Sequence, residues 1–434
     1  MNKRDTLNID SEGNLSIGGI EVGALVAEYG TPLYVMDKSY IELMCSVFTE
    51  TLRKEYGDGL VSYASKAFCC KEIYRIINKY GLGADVVSGG EIFTALSAGF
   101  PADKLTLHGN NKTVEELEYA VKSGVGEIVI DSVSEINEID ALASGQGITQ
   151  NVMIRVNPGI EAHTHHYIQT AKPDSKFGFS VADGTAEKII KLVSEKKNLK
   201  LVGLHCHIGS QIFEKKSFAI AVDKMTDFYL HIKNDLGIEF EALNLGGGFG
   251  IYYTDDDPEL KTADYADYIK VISDELKRCV AEKGIKKPRL MLEPGRSIVG
   301  EAGITVYTVG RIKEISGIKN YLSVNGGMFE NPRYALYQAK YRVVAAEKMN
   351  EKPIYKYTVA GKCCESGDII AEDVLLPAIK EGDLLAVLST GAYNYSMSSN
   401  YNRNVVPPVV MVENGEAYYA VKPQKYEDVA SRDL

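Results

Sequence analysis

From about residue 60 onward, short apolar runs alternate with segments of helical periodicity. No other feature of the chain restricts its fold as much. The runs are VSYAS (61–65), ADVVS (84–88), LTLH (105–108), EIVID (127–131), NVMIRV (151–156), LVGLHCHI (201–208), EALNLG (241–246) and PRLMLE (288–293). Between them, segments such as KEIYRIINKY (71–80), TVEELEYAVKSG (113–124) and YADYIKVISDELKRCVAEKG (265–284) carry apolar residues at spacings of three and four. Repeated strand–helix units imply a parallel sheet covered by helices, and eight of them predict a closed (β/α)8 barrel rather than an open doubly wound sheet. In such a barrel the residues after each strand gather on one rim, where barrel active sites sit. Ser65-Lys66, Ser88-Gly89-Gly90, Gly109-Asn110-Asn111, Gly209-Ser210, Gly246-Gly247-Gly248 and Pro294-Gly295-Arg296 all belong there.

The texture changes near residue 297. ITVYTVGRI (304–312), YLSVNGG (321–327), PIYKYTVAG (353–361), LLAVLST (384–390) and PPVVMVENGEAYYAVK (407–422) read as strands, the last with a hairpin turn at ENG. The expected fold class is therefore α/β, a barrel over 38–297 with a second, mostly β domain. That domain comprises 298–434 and the N-terminal segment 1–37, whose PLYVMD (32–37) also reads as a strand.

Composition narrows the function. The 434 residues carry a net charge of −11, a poor basis for binding nucleic acid, where phosphates must be neutralised. The longest run of like charge is Asp255-Asp256-Asp257. The first ten residues lack the apolar core of a signal peptide, and every apolar run is broken by charge before it could span a membrane. Seven cysteines, an odd number with two adjacent pairs and no CxxC, suit a reducing cytoplasm better than a disulfide framework or zinc ribbon.

Several rim motifs carry chemistry. Lys66 ends the first strand; as a nucleophile toward a carbonyl it needs a partly buried site, and otherwise it is a surface lysine. GGGFG (246–250) lets backbone N–H groups approach a phosphate, or simply makes a tight turn. EPGR (293–296) places a carboxylate and a guanidinium after strand eight, near the usual barrel phosphate site, or forms a local ion pair. HCHIGS (205–210) puts His205 and His207 on one strand face. With HTHH (163–166), that spacing keeps a zinc hydrolase open as an alternative. GKCCESGD (361–368) sets a thiol beside a carboxylate in a glycine-flanked loop, a possible proton donor or a buried small hydrophobe. Arg333 and Tyr337 share a face if ENPRYALYQAKY (330–341) is helical, and GAYNYSMSSNYN (391–402) offers hydroxyls to a ligand.

The order YASKA, HxHIGSQ, GGGFG, EPGR, CESGD, GAY resembles that of the fold-type III pyridoxal-phosphate-dependent decarboxylases, the alanine-racemase-like barrel enzymes. The likeness runs from PLYVMD to GAYNYSMSSNYN. DVVSGGEI (85–92), HGNNK (108–112), KFGFS (176–180), GLHCHIGSQI (203–212) and CESGD (364–368) resemble the branch that acts on diaminopimelate. The resemblance implies roles. Lys66 is similar to the lysine that carries pyridoxal phosphate, and His207 to the histidine stacked on its ring. Ser210, Gly247, Gly248, Gly295 and Arg296, with Tyr393, resemble the phosphate cradle. Glu293 resembles the partner of the ring nitrogen, where alanine racemases have an arginine. Cys364 resembles the proton donor to Cα and Glu365 the residue that binds the distal amine, both supplied across a homodimer interface. Arg296, Arg333, Tyr337 and Tyr393 resemble substrate carboxylate and phosphate contacts. The implied reaction converts meso-2,6-diaminopimelate to L-lysine and carbon dioxide. No metal, nucleic acid or membrane partner is expected. The alternatives are decarboxylation of another basic substrate (ornithine, arginine or carboxynorspermidine), a non-catalytic pyridoxal-phosphate barrel, which the length after the barrel disfavours, and the zinc hydrolase. Two positions depart from the family pattern: Cys363 where many relatives have His, and Asn325 where they usually have Asp.

Overall fold

The computed structural model describes residues 6–159 and 175–434; the HTHH run at 163–166 lies outside them. The chain divides into two compact units.

The first unit comprises Met44–Gly250 and Leu260–Ser297. All eight expected strands form: Gly59–Ala64, Gly83–Val86, Leu105–Leu107, Glu127–Ile130, Gln150–Asn157, Leu199–His205, Ala242–Asn244 and Arg289–Leu292. Every neighbouring pair is parallel, and the eighth strand pairs with the first through Leu290↔Gly59 and Leu292↔Val61, so the barrel closes. A two-residue strand, Phe179–Ser180, pairs with the C-terminal end of the fifth at Val156 and Asn157.

Side chains two apart on a strand share a face, and this rule builds the barrel interior in layers. Val129, Met153, Val202, Ala242 and Met291 come from five strands yet form one buried cluster with Leu60. Two residues further along four of those strands stand Asp131, Arg155, Asn244 and Glu293. The same faces thus turn from apolar to polar toward the C-terminal rim. Helix ends are set locally. Thr113 and Glu116 make a reciprocal capping box at Val114–Ser123, and Gly124 closes that helix in the left-handed conformation.

The second unit comprises Met1–Leu43, Ile251–Glu259 and Ile298–Leu434. Its main sheet runs in the order Ile369–Leu376, Tyr355–Ala360, Lys319–Val324, Gly303–Ile315, Leu33–Asp37, Val409–Glu413, Glu416–Val421. The N-terminal strand is therefore part of this domain, as expected. The 13-residue strand Gly303–Ile315 is its spine, pairing with Leu33–Asp37, Lys319–Val324 and Leu384–Leu388. Asn414 and Gly415 both take positive φ at the predicted hairpin. Two apolar cores fill the unit, one around Val309, Val324, Val359 and Ile370, the other around Leu15, Val35, Ile304 and Val410. Among the described residues, no helix is long and apolar enough to cross a membrane.

Candidate active site

The barrel rim holds one dense group of buried polar side chains. Glu293, just past the last strand, is its centre. Its Oε1 lies 2.9 Å from His108 Nε2 and accepts a 2.6 Å hydrogen bond from Asn244 Nδ2. Its Oε2 lies 3.2 Å from His205 Nε2. Burial alone would raise the pKa of this carboxyl. His108 first, then His205, outweigh burial and hold it well below the usual carboxylate range. His108 moves the other way: burial opposes its charge, but Asp85 and Glu293 together raise it. His205 is pushed down to about 4, chiefly by burial. Glu293 and His108 thus form a close buried acid–base pair, with His205 on the other carboxylate oxygen.

His205 and His207 do not act as one ligand pair on a strand face. The strand ends at His205, and His207 sits in the loop beyond it. There His207 Nδ1 accepts a 3.3 Å hydrogen bond from Gly247 N. Burial, then the charges of Lys66 and Arg155, hold the His207 imidazole neutral.

Lys66 is carried by a short 3-10 turn, Ser65–Ala67, after the first strand. Its side chain is exposed, which corrects the expectation of a partly buried lysine. A 3-10 turn, rather than the strand itself, places it, and Lys66 is the exposed residue of that turn between buried Ser65 and Ala67. Its charge still bears on Asp85, Glu91 and His207.

The glycine loop packs on the segments beside it. A Cβ on Gly247 would lie 2.1 Å from the Glu293 carbonyl, and one on Gly248 (φ 99°) 2.1 Å from the Gly209 carbonyl. Ile212 N donates to Gly248 O, locking the two loops together. Arg296, buried, donates through Nη2 to Ser210 Oγ at 3.0 Å. Arg296 thus turns to Ser210 and Glu293 to the histidines, not to each other as a local pair. A guanidinium, a hydroxyl and a side-chain-free loop suit a phosphate, and a buried carboxylate held anionic suits a protonated ring nitrogen. The residues present fit pyridoxal phosphate.

The β unit carries its own group. Arg333 and Tyr337 do lie on one short helix, Arg333–Tyr337. Arg333 Nη1 donates to Tyr253 OH at 3.1 Å and Tyr341 OH at 2.5 Å, and its guanidinium lies 5.5 Å from the Tyr393 ring centre. Tyr337 is exposed. Tyr393 has φ 65°, a left-handed conformation that costs a non-glycine residue roughly 1–3 kcal/mol and clusters at ligand sites. In the CESGD loop, Cys363 is buried, whereas Cys364 and Glu365 are exposed.

Sequence reasoning missed His108, Asp85, Asn244 and Arg155 as members of the rim group. Each stands within two residues of the C-terminal end of a barrel strand, which was the available signal.

The family described as "Pyridoxal-dependent decarboxylase, pyridoxal binding domain" matches residues 47–300, more than half of the chain. The chain therefore belongs to the pyridoxal-dependent decarboxylases. It is 45% identical over 425 residues to diaminopimelate decarboxylase of Bacillus subtilis (strain 168), spanning 98% of this chain and 96% of that one. The namesake from Halalkalibacterium halodurans is 43% identical over 429 residues, spanning 99% and 97%. A crystal structure of diaminopimelate decarboxylase from M. jannaschii in complex with L-lysine superposes with a TM-score of 0.90 at 34% identity, covering 99% of this chain and 98% of that one. Within its family, the chain belongs with the diaminopimelate decarboxylases.

Proposed function

We propose that the chain decarboxylates meso-2,6-diaminopimelate to L-lysine and carbon dioxide, the last step of lysine biosynthesis, as a cytoplasmic homodimer. The observation that carries the chemistry is Glu293, a buried carboxylate kept anionic at the rim. Bound pyridoxal phosphate supplies an electron sink for the pair left when carbon dioxide departs, and a carboxylate at its ring nitrogen keeps that sink protonated. Lys66 is the residue that would hold the cofactor and give way to the substrate amine. His207, its charge disfavoured by burial, would take the face of the ring without adding charge. Ser210, Gly247, Gly248, Gly295 and Arg296 take the phosphate, together with Tyr393. Arg333 and Tyr337, with Arg296 and Tyr393, serve the substrate carboxylate. Across the homodimer interface, Cys364 returns a proton to Cα and Glu365 receives the distal amine.

The lysine-bound relative supports the substrate class. The test is a substrate panel with purified protein and pyridoxal phosphate: meso-diaminopimelate, ornithine, arginine and carboxynorspermidine, each scored by amine product. Product from diaminopimelate, with the others slower by at least about 100-fold, fits a site that binds a distal charged centre. Faster turnover of ornithine or arginine overturns the substrate assignment.

One observation favours a second reading. His108, His205 and Glu293 bring their ligand atoms within 4.8 Å of one another, a donor set that zinc accepts. Stoichiometric zinc in the purified protein, with no visible cofactor band, is the result that reading requires.

A further inference from the structure

In the decarboxylase reading His108 has no assigned role, yet it touches the group on which the chemistry turns. It follows the third barrel strand, Leu105–Leu107, and is almost fully buried. Its backbone N–H donates to Val86 O at 2.8 Å, which fixes where the ring enters the rim. On one side Nε2 lies 2.9 Å from Glu293 Oε1; Asp85 Oδ1 lies 3.8 Å from the same nitrogen. The ring meets His205 edge-on, centres 4.8 Å apart. The loop that follows is tied down by Lys112, whose Nζ donates to Gly109 O at 2.7 Å.

The environment of Glu293 gives this contact its weight. A carboxylate cannot stay charged inside a barrel without a paired cation or several donors. Asn244 is neutral, whereas the Nε2 of His108 faces two carboxylates, Glu293 at 2.9 Å and Asp85 at 3.8 Å. An ionised carboxylate has about four acceptor directions. Asn244 and His205 hydrogen-bond to it, one on each oxygen, and the His108 ring nitrogen stands 2.9 Å from Oε1 as its close charged neighbour.

We propose that His108, backed by Asp85, is a positioning residue that orients the Glu293 carboxylate and fixes its negative charge toward the cofactor ring nitrogen. This rests on the reading of Glu293 as that nitrogen's partner. Asp85 and Glu293 share the one His108 nitrogen, so the charge of the ring nitrogen's partner is set by groups that do not themselves touch the cofactor.

The test uses His108→Phe, which keeps a ring but no donor, His108→Gln, which restores a donor, Glu293→Gln, and the double variant His108→Phe/Glu293→Gln. With bound pyridoxal phosphate, kcat for diaminopimelate should fall roughly 10- to 100-fold in His108→Phe, the range for losing a hydrogen bond to a charged group, while KM stays within about twofold. His108→Gln should recover part of the loss. The double variant should be no worse than Glu293→Gln alone, because both changes remove one device. Losses that multiply, or full kcat in His108→Phe, overturn the proposal. If phenylalanine blocks folding, His108→Gln alone and with Glu293→Gln carries the same comparison.

The visible band of the bound cofactor provides a readout independent of substrate. A shift in His108→Phe that matches the shift in Glu293→Gln supports the proposal even if diaminopimelate proves the wrong substrate. An unshifted band in His108→Phe beside a shifted one in Glu293→Gln contradicts it, and no shift in either removes the reading of Glu293 beneath it.

Discussion

Cys363 and Cys364 are neighbours with opposite environments. Burial pushes the Cys363 thiol up to about 12, and its backbone N–H donates to Asp368 Oδ2 at 2.6 Å. Asp368 also accepts from Met328 N, so one buried carboxylate ties the loop to the segment after Lys319–Val324. Cys364 is exposed, its N–H donating to Asn402 Oδ1 at 3.0 Å. A buried, protonated thiol behaves as a small hydrophobe; an exposed one on a pinned loop is placed to exchange a proton. Cys364→Ala should therefore lower lysine formation by roughly 100-fold or more. Cys363→Ala should keep kcat and lower Tm instead. Steady-state rates and thermal melts of the two variants check this, and the reverse pattern would assign the donor to Cys363. The other departure from the family pattern is satisfied locally. Asn325 Nδ2 donates to Thr31 O at 2.9 Å and Thr31 Oγ1 at 2.8 Å, while Oδ1 accepts from Thr308 N. An aspartate could accept from Thr308 N and from the Thr31 hydroxyl but could not donate to the Thr31 carbonyl, so asparagine suits this particular neighbourhood.

At the scale of elements, the barrel was legible because each strand is a short apolar run ended by a polar or glycine residue. The β unit was less so. Ile369–Leu376 escaped notice because Glu372 and Asp373 interrupt its pattern, and Asp373 has φ 54° where the pairing register shifts. Val343–Ala345 is only three residues long and acquires its identity from pairing with Leu384–Leu388. Motif order pointed to Lys66, Glu293 and the glycine loop. It could not show that His108, His205 and Asn244 converge on Glu293, because strands far apart in sequence meet only once the barrel closes. The same limit hid the pair that holds the third βα loop. Lys112 Nζ lies 2.7 Å from Glu135, both side chains buried, and also donates to Val129 O at 2.8 Å. Removing one partner strands a buried charge, so Lys112→Met should destabilise by about 3–5 kcal/mol. Lys112→Met with Glu135→Leu should recover much of that. Urea unfolding of the single and double variants measures it, and equal loss in both would show that the carbonyl contacts, not the ion pair, dominate.

At the scale of the molecule, the proposed homodimer has a direct consequence. If Lys66 works with a Cys364 from the other subunit, each inactive variant carries the half that the other lacks. Mixing Lys66→Ala and Cys364→Ala proteins under conditions of subunit exchange should restore about a quarter of wild-type activity, since half of the dimers pair one of each and have one intact site. No recovery, with exchange demonstrated by mass, would place both residues in one subunit's site or leave the protein monomeric.

The central claim is that Lys66 and pyridoxal phosphate together remove a carboxylate from diaminopimelate. The measurement that meets it most directly is carbon dioxide release from meso-diaminopimelate by purified protein with added pyridoxal phosphate, beside Lys66→Ala. Release matched by lysine from the wild type, and none from the variant, is the predicted result. Release that persists in Lys66→Ala, or a wild type that binds pyridoxal phosphate and releases nothing, would contradict it.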